Sequence, residues 1–332
     1  MNLHLIAIGG SIMHNLALDL HFNGHTVTGT DDEIYDPAKS RLQQAGLYPK
    51  QLGWNESSIH SGLDAVIVGK HARKDNPELK KALSLGLKVF SFPSFVAEMS
   101  ANKKRIVIAG SHGKTTTTSM VMHVAKHAEL DFDYLVGAQL DGFERMVKLS
   151  DAPYIIIEGD EYLTSPLDDR PKFLHYKANA AVITGIAWDH MNVFPTLANY
   201  EYQFERFIES TEESACIYYY AGDPALVQLA NHFPVQKMKA YNGFESKKIE
   251  EGSLVSIEGE QVKVPFFGNH NMQNLEAAYY LCKELGISDS TFIKAIQTFK
   301  GPAKRMQKLL DNSSNRVYQD FAHAPSKVKA TL

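Results

Sequence analysis

Cysteine is nearly missing from this chain. Cys216 and Cys282 are the only two in 332 residues, far apart and without C-x-x-C spacing, which excludes a disulfide framework and a cysteine metal site and fits a reduced protein. Long apolar runs are missing too. Met1 leads into residues 3–8, LHLIAI, without a basic segment and a long apolar stretch after it, and no run of about 18 apolar residues occurs. Neither a leader nor a membrane span is expected, and the cytoplasm is the expected compartment. Charge of one sign is not in excess: 34 Lys and Arg stand against 38 Asp and Glu, a net charge of −4, so nothing in bulk pulls the chain toward nucleic acid. No internal repeat, coiled coil or low-complexity tract is present.

What the chain does have is a phosphate-cradle pattern. In residues 104–118, KRIVIAGSHGKTTTT, a short β-branched apolar run predicts a buried strand over 105–109. The turn Gly110-Ser111-His112-Gly113-Lys114-Thr115 follows, then helical spacing in Met120, Val121, Val124 and Ala125. Glycines let backbone N–H groups approach a phosphate chain, and a helix N-terminus favours anionic charge. Lys114 would reach the β- and γ-phosphates, and Thr115 would offer its hydroxyl to Mg2+. In the full pattern G-x-x-x-x-G-K-[ST] the first glycine falls at position 108, which is Ile108 here. The shorter G-x-x-G-K-T form remains, and the plain alternative is a glycine turn with a solvated lysine.

Around that stretch the chain is long enough for two domains and the start of a third. Residues 2–8 predict a strand ending at Gly9-Gly10-Ser11, followed by helical spacing at Ile12, Leu16, Ala17 and Leu20. A second strand over 25–30 ends in Asp31-Asp32, where a doubly wound sheet places an acid beside a nucleotide sugar or base. More βα signals at 64–69 and 87–90 make residues 1–100 a small open α/β domain. Residues 101–104 are a polar hinge. Beyond it, strands are expected over 133–136, 154–158 and 180–183, and helices over 197–210, 225–232, 272–285 and 291–298. A hairpin, 253–258 with 261–266, is expected to turn at Gly259-Glu260. The domains expected are 1–100, 101–300 and, from 301 to 332, the beginning of a further domain with a strand over 316–321; about 30 residues cannot bury a core of their own.

Three further places carry chemistry. Glu158 ends a strand and is followed by Asp160-Glu161; in a P-loop protein an acid there serves as a Mg2+ ligand, the alternative being a solvated turn. His190, after Trp188-Asp189, falls just beyond another strand, on the same predicted sheet edge as Lys114 and Glu158. Asn271 and Asn274 lie three apart at the start of a helix. Their amides suit the edge of an adenine ring, or they are ordinary N-caps.

Taken in order, Gly110-Ser111-His112-Gly113-Lys114-Thr115-Thr116-Thr117, Glu158-Gly159-Asp160-Glu161, Asp189-His190, Gly268-Asn269-His270-Asn271-Met272-Gln273-Asn274, Lys304-Arg305 and Asp320-Phe321-Ala322-His323-Ala324-Pro325 resemble the signature segments of the Mur ligases. These are ATP-dependent amide-forming ligases of peptidoglycan synthesis. The resemblance implies an α/β chain: an N-terminal Rossmann-like open parallel sheet, a central P-loop ATPase α/β domain and a truncated third α/β domain.

It further implies that Gly110, Ser111, His112, Gly113, Lys114, Thr115 and Thr116 bind ATP, and that Asn271 and Asn274 hold adenine. Arg305, Asp320 and His323 complete the ATP site. Thr115, Glu158 and His190 hold or support Mg2+, with Lys114 and His190 catalytic. In the first domain, Gly9, Gly10, Ser11, Ile12 and Met13 would meet the diphosphate of UDP-N-acetylmuramate, Asp31 the uridine, and His71 the nucleotide's border. Residues 31–37 (DDEIYDP), Glu161-Tyr162, 169–176 (DRPKFLHY) and 320–323 (DFAH) favour the branch that attaches the tripeptide L-alanyl-γ-D-glutamyl-meso-diaminopimelate. The branch attaching L-alanine is the alternative.

The pattern departs from the family at Gly185 and Ala187, where Asn and Glu are usual, and at His14 and Asn15, which replace small residues. No lysine occurs in 201–208, so no carbamylated lysine is expected. Two rivals stand beside this reading: a folylpolyglutamate synthetase, which would lack the nucleotide-sugar domain, and a binding module that has lost catalysis. With little of a third domain, the 332-residue chain is expected to bind UDP-N-acetylmuramate without completing the amide bond.

Overall fold

The computed structural model describes residues 1–165, 167–301, 307–311 and 315–319. The chain divides into two compact units, one of residues 1–102, 145–151 and 162–176, the other of 103–144, 152–161 and 177–332.

In the first unit the elements run β1 (Asn2–Ile6), α1 (Ser11–Phe22), β2 (Thr26–Thr30), α2 (Ala38–Gln44), β3 (Ala65–Val68), α3 (Pro77–Ser84), β4 (Val89–Ser91) and α4 (Phe92–Met99). The strands form a parallel sheet in the order β2-β1-β3-β4. This is the Rossmann-like sheet expected from the sequence. Its apolar interior centres on Ile6, Val66, Val68, Leu79 and Ala82. Because connections leave β1 in opposite directions, its carboxyl end opens a crevice beside that of β3. The first strand ends two residues earlier than the apolar run suggested, since Ala7 takes a left-handed φ of +65° and turns the chain toward Gly9-Gly10.

Helix α1 carries a polar stripe that the sequence reading passed over. Ser11, Asn15, Asp19 and Asn23 recur every four residues, one per turn. Asn15 accepts from Met146 N–H at 3.0 Å, Asp19 from Leu149 N–H at 2.8 Å, and Asn23 donates to the Leu149 carbonyl at 2.6 Å. Side chains thus satisfy the backbone of a segment containing β7 (Val147–Lys148), which is why 145–151 folds with the first unit. Residues 162–176 supply the hairpin β9 (Leu163–Ser165) and β10 (Asp168–Pro171), then a 3₁₀ turn packed on α4. Phe173 and Tyr176 are fully buried there.

The second unit contains β5 (Lys104–Ala109), α5 (Lys114–His127), β6 (Phe132–Leu135), β8 (Tyr154–Glu158), β11 (Ala180–Ile183), α6 (Leu197–Ser210), β12 (Cys216–Tyr220), α7 (Pro224–Ala230), β13 (Met238–Tyr241), α8 (Asn269–Glu284) and α9 (Asp289–Ile296). Its strands pair in parallel in the order β13-β12-β11-β5-β8-β6. A parallel sheet covered on both faces needs near-continuous apolar strands, and Ile106 to Ala109, Ile155 to Ile157 and Ala180 to Ile183 are all fully buried. Helix α5 packs on α8 and α9.

Strands β12 and β13 escaped the sequence reading. Three consecutive tyrosines, Tyr218 to Tyr220, and the polar Lys239 hide their period, yet Tyr218 stacks on Tyr280 at 4.7 Å. The hairpin is one strand richer than expected, with β14 (Ser246–Ile249), β15 (Gly252–Ile257) and β16 (Glu260–Val264) antiparallel. Its turn sits one residue earlier, at Glu258-Gly259, because φ values of +48° and +82° give the type I′ geometry that suits strand twist. Gly286, after α8, has the left-handed φ of +79° of a helix stop.

Beyond 301, β17 (Gln307–Asp311) and β18 (Arg316–Gln319) pair antiparallel; the rest of the expected third domain lies outside the described residues. Among those described, no helix is long and apolar enough to cross a membrane.

Candidate active site

Three neighbouring strands of the second unit deliver the site from their carboxyl ends: β5 the glycine loop, β8 Glu158, and β11 the stretch leading to His190. The register explains the shortened loop motif. Ile108, where the longer pattern has glycine, lies inside β5 opposite Glu158 on one side and Val182 on the other, fully buried. Gly110 and Gly113 are obligatory, at φ of +124° and +78°. A Cβ at Gly110 would lie 2.3 Å from Thr184 Oγ1, and one at Gly113 2.2 Å from Asn274 Oδ1.

The loop is held from the β11 side. Ser111 N–H donates to the Gly185 carbonyl at 2.9 Å, and the Thr184 hydroxyl donates to the carbonyls of Ala109 and His112. The departure at Gly185 therefore serves the loop through its backbone, while Asp223 accepts from Ile186 N–H at 2.7 Å. His112 Nδ1 is 2.8 Å from Ser111 Oγ, and Thr116 follows Thr115 in the first turn of α5.

Lys114 opens α5 with its ammonium largely enclosed. Nζ donates to the Gly110 carbonyl and lies 2.7 Å from Glu161 Oε2. Burial works to lower its pKa, but the carboxylates of Glu161, Asp160 and Glu158 hold it above the usual lysine value. The Thr115 hydroxyl donates to Glu158 Oε1 at 2.8 Å, and Gly137 N–H donates to Oε2 at 2.8 Å. Burial pushes the Glu158 carboxyl up, against the pull of Gly137 N–H and Lys114. Glu161 is buried as well, yet Lys114 and His190 bring it below the usual carboxylate range.

His190 has a left-handed φ of +55°, a strained position of the kind that gathers at functional sites. Its Nε2 is 3.4 Å from Glu161 Oε1, and its N–H donates to Asp189 Oδ1 at 2.8 Å. Asp160, Glu161 and His190 offer ligand atoms all within 4.8 Å of one another. The Asp160 and Glu161 carboxylates, and separately the Thr115–Glu158 oxygen pair, are hard oxygen donors of the kind that suits Mg2+.

The two asparagines part company despite their shared spacing. Asn274 is buried, its Oδ1 accepting from the Thr117 hydroxyl at 3.3 Å against Gly113, while Asn271 donates to the Phe267 carbonyl at 2.9 Å. Arg305, Asp320 and His323 lie outside the described residues. Gly137 and Tyr200 were not singled out from sequence, and Glu161 was named there only for its place in the Glu158 segment and beside Tyr162, not as the partner of Lys114; nothing marked a Tyr on α6 whose hydroxyl donates to Glu161 at 3.4 Å.

In the first unit, Gly9 and Gly10 lie between β1 and α1, Ser11, Ile12 and Met13 make the first turn of α1, and His71 is exposed after β3. Asp31 is buried at the end of β2 and accepts from Gly9 N–H at 2.7 Å. His14 Nδ1 lies 3.0 Å from the Gly10 carbonyl, and Arg41 reaches Asn15 Oδ1 at 3.1 Å. Of the two departures from small residues, His14 thus braces the glycine turn, while Asn15 holds the Ser11 carbonyl and Arg41.

Burial, with Asp32 beside it, raises Asp31 to about 6 from 3.8. The folded protein then binds more protons than the unfolded chain between about pH 4 and 6, so stability falls as pH rises through that window. Asp31→Asn keeps an acceptor for Gly9 N–H and removes the titration. Urea denaturation is expected to find it about 1–3 kcal/mol more stable than the parent at pH 8, with the gain vanishing toward pH 4. A gain independent of pH would rule out the Asp31 carboxyl as its source.

The profile of the Mur ligase middle domain matches residues 108–282, and that of the Mur ligase family catalytic domain matches residues 2–104. The chain is 29% identical over 343 residues to the UDP-N-acetylmuramate–L-alanyl-gamma-D-glutamyl-meso-2,6-diaminoheptandioate ligase of Haemophilus influenzae, covering 100% of this chain and 75% of that one. It is 28% identical over 350 residues to the UDP-N-acetylmuramate–L-alanine ligase of Syntrophomonas wolfei, covering 99% and 72%. The crystal structure of a murein peptide ligase from Psychrobacter arcticus superposes with a TM-score of 0.81 at 26% identity, covering 100% of this chain and 75% of that one. With more than half of its 332 residues matching the middle domain, this chain belongs to the Mur ligase family, whose members are peptidoglycan-related ligases.

Proposed function

We propose that the protein joins the tripeptide L-alanyl-γ-D-glutamyl-meso-diaminopimelate to UDP-N-acetylmuramate at the expense of ATP. The observation that carries this is the meeting of Lys114, Thr115, Glu158 and His190 at one edge of a parallel sheet. Residues 1–100 are assigned to UDP-N-acetylmuramate, with Gly9 to Met13 at its diphosphate, Asp31 toward the uridine and His71 at the border. Residues 101–300 are assigned to ATP, and 301–332 to the start of the domain that receives the amine.

A lactyl carboxylate is a poor acyl donor. Phosphorylation by ATP makes it an acyl phosphate; the amine attacks the carbonyl, a tetrahedral intermediate forms, and phosphate leaves. The glycine-loop N–H groups and Lys114 bind and orient the phosphates and stabilise charge on the transferring group, the main contribution a protein makes to such a step. Thr115, Glu158 and His190 would hold Mg2+, which supplies charge neutralisation when bound. Asn271 and Asn274 border the nucleotide at the start of α8.

The tripeptide is favoured because tripeptide ligases stand among the most similar sequences and solved structures. The L-alanine reading keeps support from relatives of comparable identity. Incubation of a protein that carries the whole third domain with ATP, Mg2+, UDP-N-acetylmuramate and either amine, followed by mass spectrometry, decides between them. Tripeptide product is expected to form at least about tenfold faster than L-alanine product, a difference of about 1.4 kcal/mol in transition-state binding. The reverse ratio would overturn the choice of amine.

A further inference from the structure

Glu161 is the point on which the cationic and hydrogen-bonding side chains of the site converge. It is completely buried. Its Oε2 lies 2.7 Å from Lys114 Nζ, and its Oε1 lies 3.4 Å from both His190 Nε2 and the Tyr200 hydroxyl. Lys114 also donates to the Gly110 carbonyl, so the lysine is folded back onto its own loop rather than extended over it.

We propose that Glu161 is a positioning residue that stands in for a nucleotide phosphate: its carboxylate holds Lys114 and His190 in place before ATP binds and surrenders Lys114 to the incoming phosphates. The inference rests on the ATP reading of this site. A buried ammonium needs an anionic partner at every stage, and Glu161 is that partner in this structure. Phosphate supplies the same charge, so binding exchanges one anion for another at Lys114. When Lys114 departs, Tyr200 and His190 remain beside the Glu161 carboxylate, so it is not left unpaired in the interior. Glu158 and Asp160 add negative charge nearby, which makes the exchange costly until the nucleotide brings its cation.

A purely structural residue and a stand-in for phosphate differ in one observable. Glu161→Gln keeps the shape but removes the competing charge. In calorimetric titration of ADP without Mg2+, this variant is expected to bind about tenfold more tightly than the parent. Its ATP turnover with Mg2+ is expected to fall by about tenfold or more, because Lys114 and His190 lose their common anchor. Glu161→Asp keeps the charge but is too short to span both partners; its ADP affinity is expected to stay within about twofold of the parent while turnover falls. Equal or weaker ADP binding by a folded Glu161→Gln protein overturns the proposal.

A crystal structure of the parent protein with ADP gives a measure that depends on no variant. Lys114 Nζ is expected on the β-phosphate and more than about 4 Å from Glu161, beyond ion-pair range. Bound ADP with the Lys114–Glu161 pair intact overturns this inference alone. Failure of the parent protein to bind ADP overturns the ATP reading, and the inference with it.

Discussion

Lys114→Ala is expected to lower ATP-dependent turnover by about a thousandfold or more, since it removes the ammonium assigned here to the developing phosphoryl charge. The same change leaves Glu161 buried at 0% exposure without its closest counter-ion. Breaking a buried pair from one side costs about 3–5 kcal/mol, so the melting temperature should fall as well. The two effects separate in the double variant Lys114→Met/Glu161→Gln. With no buried charge left unpaired, it should recover most of the lost stability and none of the turnover. UDP-N-acetylmuramate binding, assigned to residues 1–100, should survive in both proteins by calorimetry. Equal loss of nucleotide-sugar and ATP binding in a folded variant would sink the two-site division.

Glu158→Gln is expected to weaken ATP binding in the presence of Mg2+ by about tenfold or more while leaving metal-free ATP binding unchanged or slightly tighter. The amide can still accept from Gly137 N–H through its oxygen and donate to Thr115 through its nitrogen, replacing both contacts of the carboxylate. What it cannot supply is a negative oxygen for a hard cation. Burial raises the Glu158 pKa, and a ligand must be ionised to bind metal, so the Mg2+ contribution in the parent should fade as pH drops toward that raised value. Parallel losses with and without Mg2+ would make Glu158 a structural residue.

Much of the fold was legible because parallel strands announce themselves. Runs such as 105–109, 154–158 and 180–183 are apolar without alternation, and each ends at glycine or charge, so strand positions and the shared edge of Lys114, Glu158 and His190 followed from local pattern. Where pattern and burial diverge, the sequence was silent. Residues 216–220 and 238–241 are held as strands by neighbouring strands and the Tyr218–Tyr280 stack; Ile217 and the three tyrosines favour a strand locally, but without alternation the run does not mark its faces.

The sequence by itself determined that this chain carries a glycine loop with Lys114 and Thr115, an acid at Glu158 and a histidine at 190 in the order of the Mur ligases, because those identities are chemical and need no geometry to be read. Only the tertiary structure decided which partners they take. Glu161, three residues beyond Glu158, pairs with Lys114 and His190, and Asn274 accepts from the Thr117 hydroxyl close against Gly113 while Asn271 donates back to the Phe267 carbonyl. Glu78, in the first turn of α3, is fully buried between His4, Thr30 and the Asn55 N–H. A buried polar group must find its hydrogen-bond partners wherever folding brings them, and here they come from residues up to 74 positions away.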